Sequence, residues 1–310
     1  MRPLVIRFAA VAAGVIAIWI GGVLALNATM YSPSRFAENY FAAVAAGDWS
    51  QAVALAGVGD EVDVLPSDDH PISDFTVSGW QHVGSSDVVV QVDVVLDDQP
   101  ERIVIELRRT SRLLGVFDRW AFAEAPLASI SAQVSGVPAV TINDTSTAPA
   151  TTLNALVPGV YSVHASTQWV ESEGEEITLA TPGESVRVPL SLSPTAALED
   201  EVRTALGEYL AECASRGVLQ PASCPFGTTV SDRLVGVPSW TISVPPAVAV
   251  VLSRNADSAE VGAVGGVATV TGTIQSIFDG SLRPLNRDIA FGVTGVVTEL
   301  SSESPALRID

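Results

Sequence analysis

The sequence predicts an α+β protein held at a membrane by one N-terminal helix. Three observations point there. Residues 8–26 run for 19 positions without a charged side chain. Two later segments, opening at Ser32-Pro33 and Ser193-Pro194, space apolar residues at helical intervals, and each is followed by strand-like alternation. Between them, residues 125–192 carry short strand patterns and no helical period. The expected organisation is a cytoplasmic stub and transmembrane anchor over 1–29 and an α+β unit over 30–124. A small β-sandwich over 125–192 and a second α+β unit over 193–310 follow.

The anchor is read first. Phe8, Trp19 and Leu26 mark the start, middle and end of a stretch that nearly matches the ~20 residues needed to cross a bilayer core. Arg2 and Arg7 precede it, and the next basic residue is Arg35. That asymmetry keeps the N-terminus in the cytoplasm and sends the rest of the chain across. The competing reading is a cleaved signal peptide, whose apolar core runs only ~7–15 residues before a small-x-small site. Here the core is longer, and Leu26-Asn27-Ala28 suits cleavage poorly. The expected location is the cell membrane, single-pass, with the bulk of the chain extracytoplasmic.

Composition narrows the partners. Hydrophobic residues make up 47% of the 310, enough for packed cores, and the net charge is −19. Such an acidic chain repels the phosphates of nucleic acid and of an anionic membrane face. All 16 basic residues are Arg, which fits the coding bias of a GC-rich bacterial genome. Cys213 and Cys224 lie in the extracytoplasmic part, where two cysteines without nearby His predict a disulfide and not a zinc site.

Within 30–124, Ser32 and Pro33 cap and start a helix whose Phe36, Tyr40, Phe41 and Val44 form one stripe. Gly47 stops it, and Asp48 with Gln51 forms a capping box that starts another helix. A loop from Gly57 to Asp74 follows. Then come four strands: 74–83; 87–96 with Val88, Val90, Val92, Val94 and Leu96 on one face; 101–109 with Ile103, Ile105 and Leu107 on one face; and 113–124. Asp97 to Pro100 is the expected turn between the middle two.

In 125–192, Pro158-Gly159 predicts a type II turn, and Glu171 to Glu176 a hairpin tip. Tyr161, Val163 and Ala165 should point one way, and Ser162, His164 and Ser166 the other. In 193–310, Leu198, Val202, Leu206, Leu210 and Cys213 form the buried face of a long helix with Tyr209 beside it. Four strands follow, with Val270, Ile274 and Phe278 on one face of the third. The order of helix, loop and four strands repeats that of 30–124.

A helix, Gly-Asp-aromatic, a helix and a four-stranded sheet closing on FDRWAF resemble the NTF2-like cone fold. Residues 156–192, with Pro158-Gly159-Val160-Tyr161, resemble the small extracytoplasmic β-domains called PEGA-like. In this order the parts resemble the extracytoplasmic region of the teicoplanin-resistance-associated membrane protein family. The resemblance implies a binding or scaffold protein that contacts a cell-wall polymer, its antibiotics or another envelope protein. It supplies no ligand residues. Members of that family usually carry a zinc ribbon ahead of the anchor. This sequence opens at Met1-Arg2-Pro3 without one, either because the ribbon is lost or because this start lies downstream of the true one, so signalling through a ribbon is not carried over.

Candidate site residues are few. Tyr40, Trp49, Trp80 and Trp120 would line a cavity in the first cone, or fill its core. His82, beside Trp80 at a strand end, would serve as a base only if it pointed inward; otherwise it is a rim histidine. Asp68-Asp69-His70 with Asp74 lacks the ligand order of a calcium loop. There is no G-x-S-x-G and no phosphate-binding glycine loop. The expectation is therefore a non-enzymatic protein without metal or cofactor. The alternative is a pocket protein that carries or transforms a small molecule outside the membrane.

Overall fold

The computed structural model describes residues 2–59, 62–67, 71–300 and 305–309, with side chains from residue 12 onward. It is a mixed α+β structure with an apolar N-terminal helix and many strands in several sheets. The chain divides into two compact units. One comprises Met1–Gln133, Thr141–Val163 and Glu175–Pro189; the other comprises Val134–Val140, His164–Gly174 and Leu190–Asp310. The strands of 125–192 are shared between them.

Helix α1 (Arg2–Thr29) carries no charged residue from Phe8 onward, and among its described side chains Val15, Ile16, Ile18, Trp19 and Leu24 are all exposed. Helix α2 (Pro33–Ala45) starts as its sequence dictates. The Ser32 hydroxyl accepts the Arg35 N–H at 3.2 Å, and Pro33 takes the first helical position. Gly47 ends it in the left-handed region at φ 69. The Gly47 N–H donates to Val44 and the Asp48 N–H to Ala43, which is a Schellman closure. Asp48 then caps α3 (Trp49–Ala56) by accepting the Gln51 N–H at 3.0 Å, a bond that holds its carboxyl below the usual range. Since the Asp48 N–H is already used by Ala43, the expected capping box works in one direction only.

These helices cover an antiparallel sheet of Ile72–His82, Asp87–Leu96, Gln99–Leu113 and Phe117–Phe122, neighbours in that order. The alternation is as expected: Val88, Val90, Val92, Val94 and Leu96 are buried, as are Ile103, Ile105 and Leu107. They join Ala37, Tyr40, Phe41, Val44 and Ala52 in one core. Each fully buried Val or Leu there contributes about 1.5–3 kcal/mol. On the solvent face, charges stand directly opposite across the strands: Asp93 meets Arg102 at 2.7 Å and Asp87 meets Arg108 at 2.8 Å.

The turn between the middle strands is tighter than expected. Leu96 pairs with Gln99, so the loop is Asp97-Asp98 alone, both with positive φ, as a two-residue type I′ turn requires. Gln99 and Pro100 belong to the next strand. The loop after α3 is also more ordered than its composition suggested. Val64–Leu65 pairs parallel with Asn154 and Ala155. Ser67 exchanges two bonds with the Val160 backbone, at 2.8 and 2.9 Å.

The middle segment forms two four-stranded sheets. One runs Val64–Leu65, Leu153–Leu156, Leu127–Gln133, Ser185–Pro189; the other runs Glu175–Leu179, Gly159–His164, Val140–Ile142, Thr145–Thr147. Tyr161, Val163 and Ala165 are buried as their alternation required. Two expectations are corrected. The Val157–Pro158 peptide is cis and Gly159 lacks the positive φ of a type II turn; Gly159 begins a strand instead. Residues 171–176 are not a hairpin tip, because the flanking strands pair elsewhere: Val170–Ser172 with Leu192–Pro194, and Glu175–Leu179 with Gly159–Val163.

Gly159 has a packing reason. A Cβ there would lie 2.7 Å from the Tyr161 ring and 3.0 Å from the Leu156 carbonyl, to which the Tyr161 hydroxyl donates at 2.7 Å. Gly159→Ala is therefore expected to destabilise by about 1–3 kcal/mol through overpacking, read as a lower denaturation midpoint. Gly183→Ala, in open space but at φ 79, isolates the cost of backbone strain for comparison.

In the second unit, helix α4 (Ala196–Ser215) starts two residues later than expected. Ser193-Pro194 lies in a short strand, and Thr195 is the cap, accepting the Leu198 N–H at 3.3 Å. Its buried face is Leu198, Val202, Leu206, Leu210 and Cys213, as expected. The Cys213–Cys224 disulfide forms across 5.8 Å between Cα atoms. Closing so short a loop stabilises by about 3 kcal/mol in the chain-entropy model.

Five strands form the sheet here. Arg233–Val244 and Ala247–Leu252 lie end to end along one edge of the long strand Ser258–Gln275, broken at Pro245-Pro246 where two N–H donors are missing. Leu282–Thr298 and Ala306–Ile309 complete it. Val270 and Ile274 are buried, but Phe278 is 92% exposed: the strand ends at Gln275, and Phe278 sits in the following turn.

Candidate functional site

Two places outside the packed cores gather polar and aromatic groups around a concavity. The first is the outer end of α1. The Asn27 side-chain amide donates to the Val116 carbonyl at 2.7 Å and accepts the Asp118 N–H at 3.0 Å. Tyr31 stacks on Phe117 with ring centroids 4.7 Å apart, and the Trp120 indole donates to the Tyr31 carbonyl at 2.9 Å. The last turn of the apolar helix is thus bonded into the hairpin between the last two strands of the first sheet. Asp118 carries Arg112 at 2.9 Å and Arg109 at 3.6 Å. A concavity of about 300 Å³ opens beside it, lined by Tyr31, Phe36, Asn39, Asp118, Arg119 and Trp120 among others.

The second place is a cavity of about 580 Å³ in the second unit, between α4 with its disulfide loop and the sheet. Its wall includes Tyr209, Ser223 and Cys224, and its floor Gly262, Ala263 and Gly292. A Cβ on Gly262 would meet nothing within 4 Å, so the glycine leaves that part of the floor open. The Tyr209 hydroxyl donates to the Ser223 carbonyl, and burial pushes its phenol pKa up. A register shift between Ala263 and Gly266 bends the long strand there. The lining carries hydroxyls, backbone carbonyls and apolar surface and no charged side chain, which suits a neutral ligand.

The expected site residues do not line one cavity: Tyr40, Trp49 and Trp120 lie in or against one packed core, whereas Trp80 and His82 are exposed. Tyr40 is fully buried; its hydroxyl donates to Val157 at 2.6 Å, and burial, then Tyr161, pushes its pKa well up. Trp49 packs at the margin of the same core. Trp80 is 43% exposed, edge-on to His82 at 5.0 Å, and His82 is exposed at the strand end, the rim position. Trp120 belongs to the α1 junction. Of the two concavities above, only the one at that junction includes one of the five. Residues 68–70 of the acidic loop lie outside the described residues, and Asp74 lies in the first long strand.

The sequence reading missed Asn27, which looks like an ordinary helix-end residue, and the glycine floor. The signal for the latter was present: glycine inside a strand marks a bulge or a close approach. Comparison with protein-family models, curated proteins and solved structures returns no match.

Proposed function

We propose that this chain is a single-pass membrane protein whose extracytoplasmic part is a non-enzymatic binding or scaffold module. The observation that carries the reading is the Asn27 bridge. The Asn27 amide pairs with Val116 and Asp118, so the end of the helix is tied to the fold, which supports a retained helix. The disulfide fits an oxidising compartment. The exposed apolar side chains of this helix support a nonaqueous surrounding.

The fold reading is two NTF2-like units flanking β-structure. Helices over a consecutive four-stranded sheet support it in the first unit. In the second, the two strands end to end act as one edge, so the effective order again is four neighbours, with α4 against them. The partner is an envelope component: a cell-wall polymer, a glycopeptide or another envelope protein. Capture by purified peptidoglycan, and by membrane partners after crosslinking, is the expected result. Recovery with neither would overturn the scaffold reading.

The cavity of about 580 Å³ favours a second reading, a carrier for a small neutral molecule. Gly262→Phe would fill the floor at little cost to folding, since its Cβ meets open space. If the cavity binds the partner, capture is lost while the melting temperature stays within a few degrees; unchanged capture places binding elsewhere.

A further inference from the structure

We propose that the hairpin tip at Leu113–Val116 is a second membrane contact, its apolar side chains entering the headgroup–acyl boundary of the leaflet from which the anchor emerges. This rests on the membrane-anchor reading above.

The depth follows from helix geometry. At 1.5 Å per residue, residues 8–26 span about 28 Å, against about 30 Å of hydrocarbon. Leu26 then sits at the outer boundary and Asn27 one step beyond it. Asn27 holds the Val116 carbonyl at 2.7 Å, so the hairpin begins where hydrocarbon ends. At its tip, Leu114 is 82% exposed and takes φ 51, a conformation that suits Gly or Asn better than leucine. Water offers no return for that choice; an acyl boundary does, because it shields the side chain. Met30, at the end of the anchor, is exposed as well.

Two further features match an interface. Tyr31, Phe117 and Trp120 cluster at this level, and aromatic residues concentrate at membrane boundaries. Around the tip, Arg109, Arg112 and Arg119 outnumber the carboxylate of Asp118 in a chain whose net charge is −19. A local excess of cations where the chain meets the bilayer fits anionic lipid headgroups.

The test uses the full chain in vesicles of phosphatidylcholine and phosphatidylglycerol. The native cysteines are paired with each other, so a single introduced cysteine takes an environment-sensitive fluorophore selectively. Labels are placed at Leu114→Cys, at Leu24→Cys in the anchor, and at Val104→Cys, exposed on the sheet. The expected result is blue-shifted emission and quenching by nitroxide-bearing lipid at Leu114 and Leu24, with neither at Val104. Quenching at Leu24 with Leu114 behaving like Val104 overturns the proposal and leaves the anchor standing. Quenching at neither overturns both.

Discussion

Tyr40→Ala is expected to lower the unfolding free energy by about 3–5 kcal/mol, in the range of buried aromatic truncations. The ring is fully buried, with its centroid 5.5 Å from that of Phe41 and 4.8 Å from that of Phe122. Its hydroxyl ties α2 to the Val157 carbonyl, 117 positions along the chain. The raised phenol pKa keeps that proton in place as the donor. Tyr40→Phe keeps the ring and leaves the buried carbonyl unpaired, at about 1–3 kcal/mol. Trp80→Ala, on a half-exposed side chain, should cost clearly less than Tyr40→Ala. Denaturant midpoints in detergent micelles, compared at constant slope, give the order. An equal or larger loss at Trp80 would contradict the placement of Tyr40 at the centre of the core.

The second large effect lies in the anchor. Ile18→Arg puts a guanidinium near the middle of residues 8–26, at an exposed position of α1. The insertion cost is about 2.5–3.5 kcal/mol, roughly a hundredfold in the partition. The fraction resisting alkaline carbonate extraction is expected to fall sharply, while Val15→Ala leaves it unchanged. Full retention of the Ile18→Arg protein in the pellet would count against a spanning helix.

Local signals were legible in the sequence. Ser32, Gly47 and Asp48 encode caps that act through neighbouring N–H groups, and Val88 to Leu96 encode their burial through alternation. The disulfide was expected from two cysteines in a segment read as extracytoplasmic, and Cys213 and Cys224 are bonded. What stayed hidden depends on residues far apart in the chain. The Val64–Leu65 strand pairs with residues 90 positions away, and nothing local in a Gly- and Asp-rich loop announces that. Phe278 continued a strand period by spacing, but the strand ends at Gln275 and the turn through Gly280 throws it into solvent. Tyr40, Trp49 and Trp120 fill or border one core and do not open a pocket, whereas the cavity in the second unit is shaped by glycines, which carry no side-chain pattern to read.

The central claim is that the apolar helix is retained and joined to the extracytoplasmic fold. Its most direct test is the intact mass of the protein extracted from membranes. The account predicts a membrane-bound chain that still contains residues 8–26 together with Asn27 and the Cys213–Cys224 bond. A soluble chain beginning after Leu26 would contradict it.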